Sequence, residues 1–300
     1  MADPAPPERA AGDPRPEIAL VRLPGRTAYR PALELQRRLA RDRIEGRADR
    51  DLLLLVEHDP VLTLGRNADP GHLVADAGEL ARRGVERVEI ERGGDVTYHG
   101  PGQLVGYPVL DLRRYRKDLH WYLRAVEEAL IAALGELGLP AFRVPEHTGV
   151  WVGEEPADGT GPASGDAAGA GTTDAAVAAG RIRKIASIGV HVSRWVTWHG
   201  FALNVDDRAL ENFGLIVPCG IEGVTMTTLE REGIGAGERR TAEALARGFA
   251  GAFDARVERS APAEVGIDPP PADGASAAPE PSRPGAAAGP GAADREEVRR

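Results

Sequence analysis

Five consecutive apolar residues, Leu52 to Val56, set the first limit on what this chain can fold into. A short continuous apolar run is the pattern of a strand buried on both faces. Ahead of it, Ile18-Ala19-Leu20-Val21-Arg22-Leu23 alternates and predicts another strand. Between the two, Ala32, Leu35 and Leu39 follow Pro31 at helical spacing, with Arg and Glu interspersed, and predict an amphipathic helix to about Ile44. After Glu57-His58-Asp59-Pro60, a turn, Val61 to Leu64 read as a short strand. Residues 76–84 read as a short helix ending at Gly84, and Val85, Val88 and Ile90 lead into a further strand.

Leu119, Leu123, Val126, Leu130, Leu134 and Leu137 step by four, three, four, four and three, the clearest helix in the chain, ending near Gly138-Leu139-Pro140. Such a stripe is core packing and carries no chemistry. Gly149 to Val152, the alternating Ile188, Val190 and Val192, and His199 to Val205 predict a strand meander. Thr241 is the expected N-cap of a last helix carrying Leu245, Phe249 and Phe253. Strands and helices mix without strict alternation, so the fold class is α/β of the α+β type, a mixed or antiparallel sheet with packed helices.

Three stretches lack the apolar side chains to build a core. Residues 1–16, mainly Ala, Pro, Asp and Arg, and 259–300, rich in Pro, Ala and Gly, are expected to be disordered. Residues 153–180, mainly Gly, Ala, Asp, Thr and Pro, read as a flexible insertion at a hairpin tip. One folded domain over 17–258 remains. A single cysteine excludes an intramolecular disulfide framework and fits a reducing compartment. No signal segment is visible and no apolar run approaches the ~18 residues of a membrane span, so a cytoplasmic protein is expected. A formal net charge of -9, with no basic stripe among aromatics, argues against nucleic acid as a partner.

The chemistry is read around Cys219, held between Pro218 and Gly220 after the apolar run Phe213 to Val217. Pro218 ends that run as extended backbone, and Gly220 lets another group approach the sulfur. A nucleophilic thiol must be a thiolate, and a nearby cation favours that form. Lys184, one of only two lysines, is the candidate. At ~4 Å and an effective dielectric of ~20 its ammonium would favour the thiolate by about 4 kcal/mol before desolvation is subtracted. His99, His191 and His199 supply the rival, a Cys-His arrangement, with His99 the one placed at the pocket. Arg92 to Leu112 holds five glycines (93, 94, 100, 102 and 106), backbone that takes unusual φ or passes close to a ligand, without the pattern of a phosphate loop. No Cys/His spacing suits a metal, and no cofactor is expected.

The segment Arg92-Gly93-Gly94-Asp95-Val96-Thr97-Tyr98-His99-Gly100-Pro101-Gly102-Gln103-Leu104 resembles the signature of the lipoyl(octanoyl) transferases of lipoate biosynthesis. The match continues in order through Lys184 with Ser187-Ile188-Gly189, His199-Gly200-Phe201-Ala202-Leu203-Asn204 and Pro218-Cys219-Gly220. Glu57 to Pro60 and Thr63 to Arg66 resemble the family's N-terminal motif, so the likeness covers about 18–253. It implies the biotin/lipoate protein ligase catalytic fold. It also implies Cys219 as acyl-thioester nucleophile and Lys184 as the group that lowers its pKa. Arg92, Gly93, Gly94, Asp95, Val96, Thr97, Tyr98, His99, Ser187, Ile188, Gly189, Gly200, Phe201 and Ala202 would then line the acyl and pantetheine pocket. The implied partners are octanoyl-acyl carrier protein as donor, and lipoyl domains of 2-oxoacid dehydrogenase complexes and the glycine cleavage H protein as acceptors. Arg92, Arg181, Arg183 and Arg194 are candidates for a docking face. The rivals are an ATP-dependent lipoate or biotin ligase, a Cys-His thioesterase, and a non-catalytic carrier-binding module.

Overall fold

Leu52 to Val56 do receive cover on both faces. The computed structural model describes residues 15–144, 147–154, 175–218 and 223–268. In chain order these hold β1 (Glu17–Thr27), α1 (Tyr29–Ile44), β2 (Asp51–His58), β3 (Val61–Leu64), α2 (Ala77–Arg82) and β4 (Glu86–Glu89). Then come β5 (Val96–His99), β6 (Gln103–Val109), α3 (Leu119–Glu136), β7 (Phe142–Val144), β8 (His147–Gly153) and β9 (Ile182–Ser193). The last are β10 (Val196–Asn204), β11 (Thr225–Met226), α4 (Glu238–Ala252) and β12 (Arg256–Arg259).

The main sheet runs β12-β1-β2-β6-β10-β9-β8-β7, with the two-residue β11 against β9, and a smaller sheet runs β4-β3-β5. β1 is parallel to both β12 and β2, whereas β2–β6, β6–β10, β10–β9, β9–β8 and β8–β7 are antiparallel. The sheet is mixed, as the sequence predicts. Because successive side chains on β2 point to opposite faces, Leu53 and Leu55 join the core under α3 and α4, while Leu52, Leu54 and Val56 join the one under Leu35 and Leu39 of α1.

Several boundaries differ from the sequence expectation. α1 starts at Tyr29, ahead of Pro31, because a proline in the first turn forfeits no intrahelical donor. α4 starts at Glu238 behind Gly237, so Thr241 is not its N-cap; its hydroxyl donates back to the Gly237 carbonyl at 3.2 Å. The chain also goes on packing past 258, where Ile267, 1 % exposed, joins the α1-side core with Val265 against it. Of the three core-poor stretches, 1–14, 155–174 and 269–300 lie outside the described residues. The described end of the insertion is not loose, since Val177 is buried with Phe142, Val144, Trp151 and Ile182.

α3 and α4 cross backbone to backbone. A Cβ at Gly248 would sit 2.1 Å from the Ala129 carbonyl oxygen, so only glycine permits this approach. Gly248→Ala is expected to push the helices apart and to destabilise the fold by about 3 kcal/mol, the upper range for overpacking. Urea unfolding of the variant against Gly251→Ala on the same helix, where a Cβ meets nothing within 4 Å, checks it.

Candidate active site

Strands β5, β6, β9 and β10, the loop before β5 and the first turns of α3 enclose a cavity of about 370 Å³. Such a volume is in the range of small-ligand sites. Arg92, Gly93, Gly94, Asp95, Val96, Thr97, His99, Lys184, Ser187, Ile188, Gly189, Gly200, Phe201 and Ala202 all line it. Residues from three motifs far apart in sequence thus share one wall, because Phe201 and Ala202 pair across β10 with Ile188 and Ser187 and with Gly106 and Val105.

Tyr98 is the exception. It alternates with Thr97 and His99 on β5, so its ring points away from the cavity, edge-on to Phe213 at 5.6 Å, and its hydroxyl accepts from Asn212 Nδ2 at 3.2 Å. Cys219 and the three residues after it lie outside the described residues. Their flanks are described: Val217 N donates to the His72 carbonyl at 2.8 Å, and Met226 pairs with Lys184 across β11 and β9.

Lys184 is 1 % exposed. Its Nζ donates to the Thr148 carbonyl at 2.9 Å and sits 5.0 Å from the centre of the Trp151 ring. Gly149 makes that placement feasible: its φ is +132°, and a Cβ there would lie 2.6 Å from Lys184 Cε. Arg92 is 6 % exposed, with Nη2 donating to Thr63 O at 2.8 Å and Thr63 Oγ1 at 3.0 Å. It braces the glycine-rich loop and is too buried to belong to a docking face. Arg183 is likewise held by Glu232, at 2.8 Å through both Nε and Nη2. Asp95 is clamped within its own loop, its carboxylate accepting from Asp69 N at 3.0 Å, from Val96 N at 2.7 Å and from His72 Nδ1.

The inner wall is a set of neutral imidazoles with assigned hydrogens. His99 Nδ1–H donates to Gln103 Oε1 at 2.9 Å; Gln103 in turn donates to Asn204 Oδ1 at 3.0 Å, and Asn204 to Thr227 O at 2.9 Å. The His99 ring stacks on Tyr29 at 5.9 Å. His58 Nδ1–H donates to the Thr27 carbonyl at 2.7 Å, and its Nε2 accepts from Tyr107 Oη at 2.6 Å. Burial pushes His99 down to about 3 and His58 down to about 4. His199, with φ +57°, has Nε2 3.7 Å from Glu91 Oε1. Burial pushes the Glu91 carboxyl up, but hydrogen bonds from Arg37 and Trp198, with the His199 ring nearby, outweigh it and hold Glu91 below the usual range. His191 is off the cavity, its ring 4.2 Å from Trp198 and Nδ1 against the Glu91 carbonyl at 3.1 Å.

Sequence reasoning missed Tyr29, Val105, Tyr107, Leu119, Leu123, His147, Thr148 and Val190, all of which line the cavity. Leu119 and Leu123 were expected in the core, yet at the start of α3 they wall the cavity, and Leu119 is 43 % exposed at its rim. Their signal was present but ambiguous, since helical periodicity marks an apolar face without saying what covers it.

Residues 28–250 match the lipoyl protein ligase A/B catalytic domain. An octanoyltransferase of Solibacter usitatus is 46 % identical over 230 residues, covering 77 % of this chain and 90 % of that protein. One of Gloeobacter violaceus is 46 % identical over 198 residues, covering 66 % and 74 %. A bipartite lipoate protein ligase of Thermoplasma acidophilum shares the fold, with a TM-score of 0.56 at 17 % identity over 83 % of this chain and 88 % of that one. The chain therefore belongs to the lipoyl protein ligase A/B catalytic-domain family and, with these relatives, to the octanoyltransferases, an acyltransferase group.

Proposed function

We propose that the protein moves an octanoyl group from the thioester of an acyl carrier protein to the target lysine of a lipoyl domain, through an acyl thioester on Cys219. The observation that carries this reading is Lys184, a buried cation in the wall of the cavity, paired through Met226 with the strand that follows the Cys219 segment.

The Cys219 thiolate attacks the donor carbonyl carbon, with backbone N–H groups of the cavity wall stabilising the oxyanion. The C–S bond to the carrier breaks, the carrier thiolate leaves and takes its proton from the Lys184 ammonium, and octanoyl-Cys219 remains beside a neutral Lys184 amine. The acceptor amine then attacks that carbonyl; an amide forms, the Cys219 thiolate is restored, and the amine's proton passes to Lys184 or to water. The donor is already activated, so the sequence of steps balances without ATP. Leu119, Leu123, Val105, Ile188 and Phe201 give the chain apolar walls. At ~0.8 kcal/mol per buried CH₂, seven aliphatic carbons contribute about 6 kcal/mol to binding.

Intact mass spectrometry after mixing with octanoyl-acyl carrier protein, without ATP, tests it. One octanoyl adduct is expected on the wild type, absent from Cys219→Ala and discharged by an apo lipoyl domain. Lipoyl-domain modification that needs ATP and free octanoate, with no adduct, would establish the ligase instead. Steady release of free octanoate would establish the thioesterase.

A further inference from the structure

We propose that the basic turn between β6 and α3, with the tip of the β9–β10 hairpin, is the docking face for the acidic surface of the domain that delivers the acyl thioester. The inference rests on the transferase reading above and adds where the donor lands.

The two segments touch. Leu112 N donates to the Trp195 carbonyl at 2.7 Å, and Asp111 bridges Val196. Within 111–118 and 193–196, five cations (Arg113, Arg114, Arg116, Lys117 and Arg194) face two carboxylates (Asp111 and Asp118), in a chain whose net charge is -9. Both carboxylates are engaged. Asp111 is held by Arg113 at 2.7 Å through both Nε and Nη2. Asp118 caps α3, accepting from Trp121 N at 3.1 Å, and lies 3.4 Å from Arg116. Lys117 and Arg194 are exposed and form no ion pair among the described residues.

The hairpin tip is also built at a cost. Ser193 pairs with Val196, so Arg194 and Trp195 form a two-residue turn, and both are left-handed, with φ +48° and +66°. Such turns favour Asn-Gly, because side chains with a Cβ are strained there. The strained pair presents an arginine and an indole that is 39 % exposed, the residue types that anchor protein interfaces. Large exposed apolar side chains among the described residues are Val74, Leu119 and Trp195. Trp195 belongs to this face, and Leu119, at the cavity rim, is two residues beyond Lys117. A carrier seated here has its thioester arm at the cavity mouth.

The test compares octanoyl-acyl carrier protein with octanoyl-pantetheine, a neutral small donor, in acylation of the full chain. Lys117→Glu/Arg194→Glu is expected to lower the second-order acylation rate from the carrier about tenfold or more, leaving the small donor within about twofold. Raising ionic strength from about 0.05 to about 0.3 M should slow the wild type with the carrier donor and barely affect the variant. Arg194→Asn/Trp195→Gly supplies the preferred turn residues, so it should raise Tm while slowing only the carrier reaction. Equal loss with both donors, no loss with either, or a loss confined to discharge by the lipoyl domain would overturn the docking face. Failure of both donors to acylate the wild type would instead sink the transferase reading, and the docking face with it.

Discussion

Lys184→Met is expected to slow acyl-enzyme formation by about 10²–10⁴-fold, the usual range for losing a positioned proton-transfer group, in a protein that still folds. The methionine keeps the length and packing of the stem across Gly149 and beneath the Trp151 ring, and loses the charge and the proton. Keeping an ammonium 1 % exposed costs desolvation, which the Thr148 carbonyl and the Trp151 ring help to offset. Stopped-flow or quenched mass spectrometry of adduct formation, with a thermal melt, gives both readings. A variant that loses stability and rate together would make Lys184 structural.

The second large effect is on stability with pH. An unfolded imidazole titrates near ~6.5, whereas folded His58 and His99 titrate at about 4 and about 3. The folded values lie below the unfolded one, so as pH drops below ~6.5 the unfolded chain takes up protons that the folded chain refuses. Stability contributed by these two neutral rings is complete above that pH and is lost progressively toward their folded values. At pH 5 each histidine accounts for about 2 kcal/mol, and the pair for about 4 kcal/mol, a large part of the ~5–15 kcal/mol that holds a typical domain together. Asp111, Asp206 and Glu232, held below the usual carboxylate range, lose their contribution only at lower pH. Asp51, pushed up by burial, works in the opposite sense. Urea unfolding at pH 7 and pH 5 should show the loss, and His99→Gln should remove about half of it. An unchanged slope in that variant would mean the ring is already protonated when folded.

Much of this architecture was legible in the residues. The apolar run in β2 demanded cover on both faces, and the glycines around β5 and β6 marked close backbone passage. The three motifs that line the cavity were each visible, although only the antiparallel pairing of β9 with β10 and of β10 with β6 brings them together. What was hidden depended on which way a side chain faces once strands are paired. Tyr98 sits inside the glycine-rich motif yet points into another core, while Leu119 and Leu123 sit in a core-like stripe yet wall the cavity. His58 read as a turn residue and Tyr29 fell ahead of the expected helix; their place beside His99 exists only after the parallel β1–β2 pairing is made.

The chain has two lysines, one sealed in the wall and one on the outside. If, as proposed, the product is an amide on a lysine and the acyl group waits on Cys219, the enzyme has, apart from its N-terminal amine, a single exposed amine of its own. Its surface is almost blank to its own reaction, so an acyl group waiting on the enzyme has little to react with until the correct acceptor arrives.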